Sequence, residues 1–161
     1  MGEKTNKGLG FTIAGIVLLL GGVAFWLFPK KTKPEPEPQP EPEVEKADEV
    51  IAKAYNNLLF ESNKSVIKQQ SLQSLDELAK YLIDNENFKL SLIGHTDSLG
   101  SDIFNKNLSI NRAGAVKSYL VTKGVNASRI SSDGKGESEP IEDNSTSEGR
   151  RKNRRVEFKI A

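Results

Sequence analysis

The chain predicts an α+β fold: a two-layer sandwich of two main helices on a mixed sheet, in the order β-α-β-α-β-β, behind one apolar span and a proline-rich spacer. Three patterns point there. Leu72, Leu75, Leu78, Ala79 and Leu82 recur at intervals of three and four, the stripe of an amphipathic helix. Val156, Phe158 and Ile160 alternate with Arg155, Glu157 and Lys159, as a strand with one buried face does. Between them, Lys89-Leu90-Ser91-Leu92-Ile93 reads as a short strand that runs into Gly94-His95-Thr96-Asp97 and then into a second helical pattern. A length of 161 residues suits one domain with appendages.

Residues 1–8 form a short N-terminal tail. Leu9 to Phe28 carries no charge, and about 20 such residues at about 1.5 Å each cross a bilayer core of about 30 Å. Phe25, Trp26 and Phe28 lie at one end, where aromatic rings favour the headgroup boundary. A cleaved signal peptide ending near Ala24 is the competing reading, with Lys4 and Lys7 as its basic region. The apolar run continues through Phe28, which favours an uncleaved membrane anchor over residues 9–28. Residues 29–47 are a Pro/Glu-rich linker. From Pro34 to Glu43 proline alternates with glutamate or glutamine, which fixes φ and removes donors, so a polyproline II spacer is expected.

The domain proper is expected over residues 48–161. Val50, Ile51 and Ala54 mark a short lead-in helix, and Leu58-Leu59-Phe60 a buried strand. The leucine stripe places a helix from about Lys68 to Ile83, closed by Asp84-Asn85-Glu86-Asn87. After the strand Lys89 to Ile93, Gly94 and Gly100 bracket a loop holding His95, Thr96 and Asp97. The next helix is expected to start near Asn107 to Ser109, where short polar side chains can cap it, and to end at Lys123-Gly124. Arg112 then falls in its first turns, where the macrodipole does not favour a cation. A ligand or Asp97 explains its position better. Arg129 to Ser132 and Arg154 to Ile160 complete the strands, and the alternation turns Arg154 toward the mouth of the domain.

Composition excludes several functions. Formal charge is balanced at +1, and the basic run Arg150-Arg151-Lys152-Asn153-Arg154-Arg155 has no aromatic platform, so nucleic acid is not an expected partner. Without cysteine there is no disulfide, thiol chemistry or cysteine acylation. The single histidine has no second histidine or cysteine to share a metal, so neither metal nor cofactor is expected. His95 and Asp97 resemble a base and its orienter, but no serine sits in a nucleophile turn, and the ring is expected to bond backbone near the loop. Gly134-Lys135-Gly136-Glu137 lacks the spacing of a phosphate loop. No enzymatic activity is expected.

What the residues do offer is a grip for a zwitterion: Asp97 for an ammonium and the fork of Arg112 for a carboxylate. An internal salt bridge between the two is the alternative. Five blocks in one order carry a resemblance: Phe60-Glu61-Ser62-Asn63-Lys64-Ser65, Gly94-His95-Thr96-Asp97-Ser98-Leu99-Gly100-Ser101, Asn105 to Ala113, Gly134 to Pro140, and Glu148-Gly149-Arg150 with Asn153 to Val156. Over roughly Leu58 to Ile160 the chain resembles the OmpA-like peptidoglycan-binding domains of outer-membrane protein A, the peptidoglycan-associated lipoprotein and the flagellar stator B subunits.

The resemblance implies non-covalent binding of peptidoglycan through the diaminopimelate of its stem peptide. It places Asp97 at the ligand ammonium, Arg112 at the carboxylate, and Asn63, Thr96, Asn105, Leu108 and Arg154 at supporting positions. It further implies a Gram-negative cell envelope, with the anchor in the inner membrane and the domain in the periplasm, although the lysines flanking the span do not favour that orientation. Secretion after cleavage near Ala24 is the other outcome. Stator relatives carry an intramembrane aspartate, and Leu9 to Phe28 has none, so a wall tether without ion passage is expected. Gly8, Gly15 and Gly22 permit close helix packing, which leaves a homo-oligomer or an envelope-protein partner open. A scaffold that binds a protein through the same domain is the competing function.

Overall fold

The structure, a computed structural model, describes residues 43–160. The chain divides into two units, residues 1–39 and 40–161, and everything described lies in the second. The expected tail, membrane span and proline tract up to residue 42 lie outside the described residues. Among the described residues no helix is long and apolar enough to cross a membrane.

Pro42 is the last proline before the domain, and with φ no longer locked a helix, α1 (Glu43–Asn57), starts at once. It therefore begins inside the stretch 29–47 assigned to the linker. Ala47 and Ala54 are buried on its inner side, with Val50 and Ile51 packed on the core. A 3₁₀ turn (Gln69–Ser71) leads into α2 (Leu72–Asp84), whose buried Leu75, Leu78, Ala79 and Leu82 are the stripe seen in the sequence. Ser71 ties the two helices together: its hydroxyl donates to Asn57 O (2.7 Å) and accepts from Leu59 N (2.9 Å).

Strand β1 (Leu90–His95) runs at the centre of a three-stranded sheet, parallel to β2 (Ile130–Gly136) and antiparallel to β3 (Val156–Ile160), in the order β2-β1-β3. Helix α3 (Asp102–Thr122) lies across β1 and β2, and a short α4 (Ser147–Asn153) precedes β3. One core joins the layers: Leu90, Leu92, Val156 and Phe158 from the sheet meet Leu75, Leu78, Ala113, Val116 and Leu120 from the helices. The mixed sheet and two layers agree with the expectation.

Three elements differ from the sequence reading. Leu58-Leu59-Phe60 is not a strand of the sheet, whose three members are β2, β1 and β3. It folds on its own sequel through a Phe60–Ile67 bridge, with Glu61 N donating to Val66 O and Lys68 N to Leu59 O, both 2.9 Å. Helix α4 was not expected, since Ser-Glu-Gly-Arg-Arg-Lys-Asn has no apolar stripe. It is held by Asn153, fully buried, whose Oδ1 accepts from Ile141 N (2.9 Å) and Glu142 N (3.0 Å), while Nδ2 donates to Glu142 O and Asn144 Oδ1 (both 2.8 Å). The element order is thus α-α-β-α-β-α-β. Third, α3 starts at Asp102, capped by Ser101, whose Oγ accepts from Phe104 N (3.3 Å). Its end does match: Gly124 takes φ +105°, and Val125 N reaches back to Leu120 O (3.2 Å).

The early start of α3 removes Arg112 from the helix N-terminus and puts it midway along. The fold also leaves no room between α3 and the sheet. A Cβ on Gly94 would stand 2.1 Å from Ser109 O, and one on Gly134 would stand 2.3 Å from Ile110 N. This contact sets how closely Asn105, Leu108 and Arg112 approach the end of β1.

Candidate functional site

A cleft of about 560 Å³ opens where the C-terminal end of β1 meets α3 and the 58–68 hairpin. Asn63, Thr96, Asp97, Asn105, Leu108, Arg112 and Arg154, the seven residues selected from the sequence, all line it. Asn105, Leu108 and Arg112 are three and four apart and share one side of α3. Ser109, Ala113, Val116 and Leu120 form the adjacent buried stripe. The helix thus presents Asn105, Leu108 and Arg112 to the cleft and a mostly apolar row to the core.

Arg112 is only 6 % exposed, yet among the described residues no carboxylate lies within ion-pair distance of it. Its Nε donates to Lys64 O (3.1 Å), and the guanidinium carbon lies 5.2 Å from the centroid of the Phe60 ring. Burial lowers its pKa from the ordinary value; Arg154 adds to that and Asp97 opposes it. Asn63 makes the turn that supplies the Lys64 carbonyl, with φ +54°, a conformation asparagine tolerates better than most residues. Phe60 and Lys64 therefore hold Arg112, a role not read from the sequence, although both lie in the first of the five blocks.

Asp97 does not pair with Arg112. Its Oδ2 accepts from Arg154 Nη1 (2.7 Å) and its Oδ1 from Leu99 N (3.1 Å), so the internal bridge considered for Arg112 is made by Arg154. The reason is positional: α4 delivers Arg154, its C-terminal cap residue, to the mouth of the cleft, while Arg112 is drawn to the hairpin carbonyl. Asn105, 1 % exposed, donates to Asp97 O (3.2 Å) and to Glu137, tying α3 to both loops. Glu137 was missed, though its block was noted. Thr96 N donates to Gly136 O (2.9 Å), and its buried hydroxyl has no hydrogen-bond partner among the described residues.

His95 departs from expectation. Its backbone N donates to Arg155 O (2.8 Å), but neither ring nitrogen makes a hydrogen bond among the described residues, and Nε2 lies 3.4 Å from Glu157 Oε1. The ring is fully buried. Burial lowers its pKa and Arg155 and Lys159 add to that, against Glu157 and Glu139. A folded-state pKa below the ordinary 6.5 means that the unfolded chain takes up the proton first as pH falls. Stability is therefore full above about pH 6.5 and declines below it. Glu157, held below its ordinary 4.5 by Arg155 and Lys159 although burial works the other way, titrates in a lower window. Melting temperatures across pH should decline as pH falls below about 6.5, a slope that His95→Gln flattens. An unchanged slope in that variant would assign the decline to another group.

Among the described residues no group of three or more histidine, cysteine, aspartate or glutamate side chains is placed to hold a metal ion. What the geometry defines is an α+β domain with a charged cleft at the end of its central strand, assembled from a hairpin, a loop and two helices. The chain belongs to the OmpA family, whose profile matches residues 59–154.

Outer membrane protein A of Bordetella avium is 41 % identical over 118 residues, 72 % of this chain and 61 % of that protein. Probable lipoprotein YiaD of Escherichia coli is 34 % identical over 163 residues, 99 % of this chain and 74 % of that protein. Among solved structures, the C-terminal domain of Helicobacter pylori MotB superposes with a TM-score of 0.58 at 29 % identity, over 63 % of this chain and 81 % of that one. The cell wall anchor of the T6SS from Pseudomonas aeruginosa gives 0.55 at 29 % identity, over 62 % and 72 %. The peptidoglycan-associated lipoprotein of Burkholderia pseudomallei gives 0.62 at 23 % identity, over 65 % and 88 %, a likeness of fold. None of these five proteins is named as an enzyme.

Proposed function

We propose that this domain binds peptidoglycan without catalysis and tethers a membrane-anchored protein to the cell wall. The ligand group is the free centre of diaminopimelate, which carries an ammonium and a carboxylate on one carbon. Arg112 takes the carboxylate in a forked contact, and Asp97 takes the ammonium, sharing it with or releasing Arg154. Asn63, Thr96, Asn105, Leu108 and Arg154 shape and orient that pair. The observation that carries the reading is Arg112: a buried guanidinium facing a cleft, with no carboxylate partner among the described residues. Such a charge costs stability unless something it binds compensates it. Membership of the OmpA family and likeness to the cell wall anchor of the T6SS from Pseudomonas aeruginosa support the same reading.

On this reading residues 9–28 are an inner-membrane helix, residues 29–42 extend the spacer, and the domain works in the periplasm of a Gram-negative envelope. One feature favours a protein partner instead: Leu99, Ile103 and Phe104 are exposed apolar side chains, and Leu99 and Phe104 line the cleft. Titrating the chain with meso-diaminopimelate, with Nα-acetyl-lysine amide as control, separates the two. Saturable NMR shifts at Thr96, Asp97 and Arg112, absent with the capped lysine, are expected because it keeps a side-chain ammonium but has no carboxylate. A folded chain that shows no shifts would leave the scaffold reading, whose partner capture survives loss of Asp97 and Arg112.

A further inference from the structure

Four cations line the cleft, Lys68, Arg112, Arg151 and Arg154, against two carboxylates, Glu61 and Asp97. Most of these charges are committed. Glu61 holds Lys64 (2.8 Å), Asp97 holds Arg154 (2.7 Å), and Arg151 turns to Glu148 (2.6 Å). Two cations remain with no carboxylate in ion-pair range among the described residues: Arg112 and Lys68. Lys68 is near enough to Glu61 to help lower its pKa, behind the larger effect of Lys64, but does not pair with it. A zwitterion supplies one carboxylate and one ammonium, so it satisfies Arg112 and adds as much positive charge as it removes. The cleft then keeps two cations short of a carboxylate: Lys68, an exposed side chain, and Arg154 to the extent that Asp97 releases it.

Lys68 is also well placed to be read together with Arg112. Its backbone N–H closes the base of the hairpin on Leu59 O (2.9 Å), and the same hairpin gives Arg112 its Lys64 carbonyl. One hairpin therefore places both the Lys68 backbone and the carbonyl that holds Arg112. We propose that Lys68 forms a second anion subsite, for a carboxylate carried beside the zwitterion. This rests on the wall-binding reading, and in a stem peptide the group of that chemistry is the α-carboxylate of the γ-linked D-glutamate that precedes diaminopimelate. The domain then distinguishes walls with free D-glutamate from walls in which that carboxylate is an amide.

The test is calorimetric titration of the full chain in detergent micelles with γ-D-glutamyl-meso-diaminopimelate and with its α-carboxamide. The wild-type chain should bind the carboxylate form about three- to tenfold more tightly, a preference that shrinks as salt is added. Lys68→Gln should lose the preference while still binding the amide, which also reports that the cleft is folded, and Lys68→Arg should keep it. Equal binding of the two peptides by the wild type overturns the subsite. So does a preference that persists in Lys68→Gln, or an equal loss of both ligands there, which would make Lys68 a support of the cleft. If the wild type binds neither peptide, the wall-binding reading itself fails and takes the subsite with it.

Discussion

Replacing Arg112 with methionine is expected to abolish retention of the chain on purified peptidoglycan while leaving its melting temperature unchanged or higher. Binding falls because the ligand carboxylate loses the forked donor assigned to it; truncating one side of a buried charge pair typically costs about 2–5 kcal/mol. Stability does not fall with it, because in the free domain the guanidinium is desolvated without a carboxylate, and burial already lowers its pKa. Methionine has comparable reach and packs against Phe60 as an apolar chain. The Lys64 carbonyl loses one donor, but Lys64 itself is exposed and water can replace it. Arg112→Lys keeps the charge without the fork and should bind weakly. Asp97→Ala should lose binding as well, and it also frees Arg154. A folded Arg112→Met chain that still sediments with peptidoglycan would rule out the proposed site.

Gly94→Ala is expected to destabilise the domain by about 3 kcal/mol, the upper end of what overpacking costs. The new Cβ would meet the Ser109 carbonyl oxygen at 2.1 Å and its carbon at 2.8 Å, which are backbone atoms inside α3 and cannot rotate away. The helix must lift from β1, and the cleft opens with it, since Asn105, Leu108 and Arg112 ride on the same helix. Gly114→Ala is the control in that helix. Nothing lies within 4 Å of its added Cβ, so it should be neutral or stabilising by up to about 1 kcal/mol through helix propensity. Urea unfolding midpoints at unchanged m-value would report both. A Gly94→Ala midpoint equal to wild type would show that the sheet and α3 are not in the contact described.

Elements whose signal is local were readable in the chain. The leucines of α2, the alternation of β3 and the Gly124 stop of α3 each follow from one periodicity or one backbone requirement. Readings failed where the deciding partner was distant. Helix α4 has no apolar stripe and depends on Asn153 bonding the 141–144 loop, so composition could not reveal it. The start of α3 is misplaced because Asn107 to Ser109 look like caps, whereas Ser109 is buried inside the helix, its hydroxyl donating to Lys106 O and accepting from Gly136 N. Leu58 to Phe60 has strand composition, but whether it joins the sheet depends on which edge is free.

The candidate site divides in the same way. All seven residues chosen from the sequence line one cleft, because motif blocks mark which side chains a fold of this kind collects. Which cation neutralises Asp97 was not legible. Arg112 and Arg154 carry the same guanidinium, and both were plausible partners along the chain. Read alone, the chain shows the α2 stripe, the β3 alternation, the end of α3, the charges and the residues available to a ligand. Only the tertiary structure decided that Arg154 lies 2.7 Å from Asp97 and that Arg112 is buried without a carboxylate. Periodicity and capping act within a few residues, whereas the pairing of a charge depends on distances between segments that only packing brings together.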